Sequence, residues 1–99
     1  MGDRQLAGII LKGFLLDVPS QLDNLSTRLA EADAPDVRMQ AHVLRGASAT
    51  VAAEGLCAIA GAMERAGSTG RLDQCSGLLA HAVDEFDRLR KTLERTGWA

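Results

Sequence analysis

Aromatic residues and long apolar runs are scarce in this chain. Its 99 residues include two Phe, one Trp and no Tyr, yet 46% of them are hydrophobic. A core with so few rings must be aliphatic and rich in alanine, which suits closely packed helices. No stretch reaches the roughly 18 apolar residues that a membrane-spanning helix needs. We therefore expect one domain over residues 1–99, without membrane insertion.

An excess of charge of one sign is also missing. The formal net charge is −2, so a nucleic-acid partner is not expected. The first residues lack the basic start and apolar run of an export signal, so we expect a cytoplasmic protein with reduced thiols. The only two cysteines, Cys57 and Cys75, fall in apolar registers and are expected to be buried and inert.

Motifs for metals and nucleotides are absent as well. The sequence has no Cys-x-x-Cys pair and no His/Cys cluster with the spacing of metal ligands. It has no glycine-rich loop that could hold the phosphates of ATP. We therefore expect no bound cofactor and no metal on this chain.

The first third of the chain carries a helical repeat with a proline inside it. Its apolar positions recur at alternating steps of four and three: Leu11, Leu15, Val18, Leu22, Leu25 and Leu29. Pro19 removes a backbone donor and crowds the preceding turn, which predicts a kink or a break there. Leu6, Ile10 and Phe14 form a second stripe, which suits either a cap over the bundle end or a docking surface.

Three further helices follow. Asp33 is a plausible N-cap, and we expect helices over about 35–51, 53–66 and 71–96. The last has the most regular apolar repeat of the chain: Leu72, Cys75, Leu79, Ala82, Phe86, Leu89 and Leu93. These patterns predict an all-α fold, namely an antiparallel up-down four-helix bundle. An N-terminal helical extension, kinked or broken near Pro19, is expected to precede this bundle.

The second helix carries the residues of greatest chemical interest. Its apolar seam is formed by Val37, Ala41, Leu44, Ser48 and Val51. At about 100° per residue, His42 points about 140° from the seam, Arg45 about 80° and Gly46 about 180°. Glycine within a helix costs about 1 kcal/mol relative to alanine. Two interpretations remain open: a surface left bare beside a functional histidine, or a solvated histidine near a glycine that marks close packing or a helix end.

The residues around His42 resemble a known signature. Residues 41–49 read Ala-His-Val-Leu-Arg-Gly-Ala-Ser-Ala and are followed by Val-Ala-Ala at 51–53 and by Leu56. This stretch resembles the signature of histidine phosphotransfer (HPt) domains. Residues 14–29 and 56–64 resemble the first and third segments of the same family.

Two positions depart from the family pattern. The family has glycine where this chain has Ala52, and alanine tolerates a left-handed helix end poorly. We therefore expect a different turn geometry there. Most members have lysine where this chain has Arg45, whose guanidinium can bind phosphate oxygens in a bidentate way.

The resemblance implies a role for each residue of the site. His42 would be the phosphorylated residue, Glu64 would hold its ring by a hydrogen bond, and Arg45 would balance the incoming charge. Gly46 and Ala49 would leave room for a partner. The resemblance also implies docking contacts from Ile10, Phe14 and Met39, while Arg38 either adds positive potential or is simply solvated.

The implied function is that of a phosphocarrier without turnover of its own. It would accept a phosphoryl group from a receiver-domain aspartate or a histidine kinase and pass it to the aspartate of another response-regulator receiver, as a monomer. The resemblance implies that the receiver supplies Mg²⁺. One alternative is a helical interaction module in which His42 is incidental. Another is a metal site formed by His42, Glu64 and His81, for which no third close ligand is evident.

Overall fold

Four helices make up the part of the chain that the structure describes. The computed structural model describes residues 2–98, which form α1 (Asp3–Ala30), α2 (Ala34–Thr50), α3 (Glu54–Ser68) and α4 (Leu72–Arg95). No strand occurs among these residues. Three residues separate each helix from the next. The ends of α2, α3 and α4 lie within two residues of the predicted ones.

The helices pack as a four-helix bundle around an aliphatic core. α1 contacts α2 and α4, α2 contacts α3, and α3 contacts α4. The seam predicted on α2 is confirmed, since Val37, Ala41, Leu44 and Ser48 are fully buried, while Val51 is half-buried. No helix within residues 2–98 is both long enough and apolar enough to cross a membrane.

α1 runs without a break through Pro19. The predicted break is therefore wrong, and the alternative, a kink, stays a prediction. Pro19 is exposed, so water can satisfy the backbone groups that its ring leaves unpaired. At 1.5 Å per residue the 28 residues of α1 span about 42 Å, against about 25 Å for the 17 residues of α2.

The two cysteines differ in environment. Both are free thiols. Cys75 is fully buried, and this burial raises the pKa of its thiol, as expected for an inert cysteine. Cys57 is only half-buried, so the prediction of burial is wrong for it. Its position at the edge of α3 leaves its sulfur beside the backbone carbonyl of Arg45 at 3.7 Å.

The turn between α2 and α3 has the geometry that the sequence argued against. Ala52 has a φ of +57°. The N–H of Ala53 donates to the carbonyl of Ser48 at 2.9 Å, and the N–H of Ala52 donates to that of Ala49 at 3.1 Å. This is the hydrogen-bond pattern of a Schellman motif. The expectation of a different turn is therefore wrong: two backbone hydrogen bonds outweigh the preference of alanine.

Candidate functional site

The site lies one turn from a point of close contact between α2 and α3. Gly67 on α3 is buried, and a Cβ built on it would lie 2.9 Å from the backbone nitrogen of Arg38 on α2. Only glycine permits this approach of the two backbones. His42 lies one turn after Arg38, and Glu64 lies one turn before Gly67. The close contact therefore sets the two side chains against each other.

Glu64 binds one of the two ring nitrogens of His42. The Nδ1 atom of His42 lies 3.1 Å from Oε2 of Glu64. A carboxylate oxygen only accepts, so Nδ1 carries the hydrogen and donates it. In the neutral ring this leaves Nε2 with a free lone pair. The carboxylate is largely covered, at 18% exposure, whereas the imidazole is 55% exposed.

Arg45 completes a three-residue cluster. Its Nε lies 3.1 Å from the other oxygen of Glu64, Oε1. This contact is an ion pair without a well-directed hydrogen bond, since Oε1 accepts none within residues 2–98. The Nη2 of Arg45 also lies 3.3 Å from Nδ1 of His42. Because Nδ1 carries a hydrogen, both atoms of this contact are donors and do not bind each other. The carboxylate of Glu64 attracts both of them.

Gly61, which has no side chain, leaves room for Arg45 to lie across α3. A Cβ on Gly61 would lie 3.6 Å from Cδ of Arg45, so the stem of the arginine rests against this glycine. The side chain of Arg45 remains 45% exposed. Positive charge is thus held beside His42 and stays open to solvent.

The surface in front of His42 is open. A Cβ on Gly46 would meet no heavy atom within 4 Å. Packing within the chain therefore does not explain this glycine, and the interpretation that gave it a packing role is wrong on that point. Ala49, one turn further, is also exposed. Two small residues leave the flank of α2 bare beside the imidazole.

Apolar side chains border this bare flank. Met39 is 48% exposed and Ile10 is 41% exposed, as docking residues must be. Sequence reasoning missed Val43, which is 43% exposed one turn after Met39. The sequence feature that could have identified Val43 is an aliphatic side chain that lies outside the seam of α2.

Two of the predicted docking residues fit the site less well. Phe14 is a core residue with 6% exposure, because its ring packs edge-on against Phe86 at 6.1 Å between centroids. The prediction that Phe14 contributes to a docking surface is therefore wrong. Arg38 is exposed, but within residues 2–98 its side chain forms no hydrogen bond or ion pair with His42.

The residues of the metal interpretation do not come together. His81 is exposed on α4, in a shallow depression that it shares with Ile59, Asp84, Glu85 and Arg88. Across the described part of the chain, no group of three or more His, Cys, Asp or Glu side chains is arranged to hold a metal ion. The observed pair of His42 and Glu64 lacks a third ligand.

Comparison with known proteins identifies the family. The model of the Hpt domain matches residues 10–96, which include all of the site described above. Neither the curated proteins nor the solved structures compared with the chain give a match. Hpt domains are phosphocarriers of two-component phosphorelays, and they interact with response-regulator receivers and kinases. This chain belongs to the Hpt domain family.

Proposed function

We propose that Nε2 of His42 accepts a phosphoryl group from a receiver-domain aspartate or a histidine kinase. The group then passes to the aspartate of another receiver. One observation carries the proposal: a half-exposed imidazole donates Nδ1–H to a covered carboxylate 3.1 Å away. That contact leaves the outward nitrogen free to act as a nucleophile.

The transfer step needs little from this chain beyond position and charge. The lone pair of Nε2 attacks phosphorus, an N–P bond forms, and the P–O bond to the aspartate of the receiver breaks. The imidazole gains positive charge in this step, and Glu64, which accepts the Nδ1–H, stabilises it. Transition states of phosphoryl transfer are loose, so in-line positioning and charge account for most of the catalysis.

Arg45 supplies charge for the incoming group. A phosphoryl group brings roughly two negative charges, and the guanidinium already lies beside the ring, at 3.3 Å from Nδ1. Its exposed part can turn towards phosphate oxygens. Arg38, one turn before His42 and also exposed, adds positive potential at longer range. We propose that Mg²⁺, which the chemistry of the receiver requires, is held by the receiver and not by this chain.

We propose that the receiver docks on the bare flank of α2. Gly46 and Ala49 let the partner approach closely. Met39, Val43 and Ile10 offer apolar contact around it, since each exposes at least two fifths of its surface. Exposed aliphatic residues grouped beside a polar site are typical of a partner surface.

We also propose that residues 1–99 form one domain, in which the four helices run up and down in antiparallel order. Contacts between helices support this order. Arg4 stacks on Trp98 at 4.3 Å, and Phe14 contacts Phe86, so the start of α1 lies at the end of α4. On α2, the early Arg38 lies against the late Gly67 of α3.

Phosphoryl transfer to the protein tests the site. A radiolabelled phospho-receiver from the same genome should label the wild-type chain, and His42→Gln should abolish the label. His81→Gln is the matched control and should be labelled like the wild type, because His81 has no carboxylate partner within residues 2–98. A label that survives His42→Gln would overturn the assignment. Receiver binding without any labelling would favour the helical interaction module.

A further inference from the structure

α1 carries an apolar stripe that the bundle does not cover. Leu6, Ile9 and Leu16 are 59%, 62% and 78% exposed. With Gly13, a half-buried residue that borders the groove between α1 and α2, they follow steps of three, four and three, so all four lie on one line along the helix. At about 100° per residue this line lies roughly 180° from the side of α1 that faces the core. A row of exposed aliphatic side chains along one line of a helix, here interrupted at Gly13, indicates an interface, whereas scattered ones do not.

The spacing is that of a coiled-coil seam. Steps of three and four place Leu6 and Gly13 at a positions and Ile9 and Leu16 at d positions of two heptads. A Cβ on Gly13 would meet nothing within 4 Å, so the seam has an unfilled place at its centre. The core already holds α1 helical, so a partner helix can dock without the entropic cost of forming α1.

The charges beside the seam select the partner. Lys12 and Asp17 flank it at g and e positions, and neither forms an ion pair within residues 2–98. Five residues apart, they lie on opposite flanks and do not meet on one helix. In a parallel pair of identical helices, a g residue meets the e residue five positions later on the other helix. Lys12 of each copy would then meet Asp17 of the other.

The opposite orientation is disfavoured by the same charges. An antiparallel pair that sets Leu6 against Leu16 of the other copy brings the two Lys12 side chains together. It also brings Asp3 near Asp17. Like charges across a helix pair oppose association. The pattern therefore fits a second copy of this chain in parallel orientation.

We propose that the outer face of α1, formed by Leu6, Ile9, Gly13 and Leu16, is a parallel homodimer interface. This proposal differs from the monomer that the sequence led us to expect. The seam lies opposite the core side of α1, so the two bundles extend away from each other. Because it is short and lacks a side chain at Gly13, the dimer is weak and forms only at high protein concentration.

Sedimentation equilibrium over a wide concentration range tests the seam. The wild-type chain should show a monomer–dimer equilibrium at submillimolar protein, and Leu16→Glu should abolish it. Gly13→Leu should tighten the dimer by about tenfold or more, because it adds a buried leucine per copy. Gly13→Ala is the control, since it favours the helix without filling the seam. Monomers throughout, Gly13→Leu included, would overturn the proposal.

Charge reversal tests the identity and the orientation of the partner. Lys12→Glu should weaken the Gly13→Leu dimer, and adding Asp17→Lys should restore it. In a Cys57→Ser background, Gly13→Cys should form a disulfide between the two copies, because a positions face each other only in the parallel pair. Failure of both the rescue and the cross-link would contradict the parallel pair.

The phosphoryl acceptor assay separates this proposal from the function of His42. No residue of the His42 cluster lies on the seam, so Leu16→Glu should be labelled by a phospho-receiver as the wild type is. If the wild type is monomeric and Leu16→Glu instead loses receiver binding, the stripe belongs to the receiver and the dimer is wrong.

Discussion

Gly46 and Gly67 look alike in the sequence but serve different parts of the molecule. Both lie within helices. A Cβ on Gly67 would lie 2.9 Å from the backbone of α2, whereas a Cβ on Gly46 would meet nothing within 4 Å. The fold requires Gly67 and does not require Gly46. A helical glycine that packing does not explain points to something outside the chain.

The same contrast divides α2 into two regions. Around Arg38 the helix is pressed against α3, and this contact sets the position of Glu64. From His42 to Ala49 the outer flank is bare. The tight region holds one nitrogen of the imidazole, and the bare region leaves the other accessible. Site and fold are thus linked through a single helix.

Substitution in the tight region should have the largest effect on stability. Gly67→Ala puts a methyl group against backbone that cannot move aside cheaply, so the free energy of unfolding should fall by about 1–3 kcal/mol. Gly77→Ala on α4 is the matched control, because its Cβ would meet nothing within 4 Å. There alanine should add up to about 1 kcal/mol. Urea unfolding measures both. Equal stabilities would remove the distinction between the two regions.

Substitution in the bare region should separate stability from transfer. Gly46→Gln should raise the free energy of unfolding by roughly 0.5–1 kcal/mol, because glutamine favours the helix more than glycine does. It should slow phosphoryl transfer from a receiver by about tenfold or more, equivalent to about 1.4 kcal/mol, because the side chain holds the receiver away. Gly77→Gln is the control that should leave transfer unchanged. A Gly46→Gln protein with wild-type rates would show that the open flank is not needed.

Substitutions in two turns between helices should have a smaller effect on stability. Ala52 has a φ of +57° and Ala32 has a φ of +55°. Alanine in this conformation costs about 1–2 kcal/mol, and glycine loses part of that gain through its freedom when unfolded. Ala52→Gly and Ala32→Gly should therefore each stabilise the fold by up to about 1 kcal/mol, as measured by thermal unfolding. A loss of stability in both would contradict the strain inferred at these turns.

The smallest effect is expected at Asp87, on the exposed side of α4. Lys91 and Arg90 hold the pKa of this carboxyl below its ordinary value. The stability that they provide is present above the ordinary pKa and is lost as pH falls through the lowered one. Asp87→Asn should therefore flatten the pH dependence of stability slightly at acidic pH, with no change in transfer. An unchanged acid titration of stability would show that these ion pairs contribute nothing.

Sequence patterns correctly predicted the features that depend on one helix alone. The seam of α2 and the placement of Glu64 at the edge of α3 follow from a period of 3.6 residues. The exposure of His42 follows in the same way. Each depends only on where a residue falls around its own helix, so no knowledge of neighbouring helices is needed.

What the sequence patterns missed or predicted wrongly depends in part on contacts between distant residues. Phe14 is buried because α4 supplies Phe86, and no local pattern shows that pairing. Gly67 is needed because of Arg38, which is 29 positions earlier. The turn at Ala52 follows from hydrogen bonds to carbonyls of the preceding helix, which outweigh a residue preference. Pro19 is tolerated because its side of α1 faces solvent.

The central claim is that Glu64 holds Nδ1 of His42 and leaves Nε2 to react. Nitrogen-15 NMR of the protein labelled at histidine tests it most directly, before and after phosphorylation by a receiver. We expect that the hydrogen of the free ring is on Nδ1, that Glu64→Ala reduces this preference, and that the phosphoryl group bonds to Nε2 of His42. A ring with its hydrogen on Nε2, or a phosphoryl group on Nδ1, would contradict it.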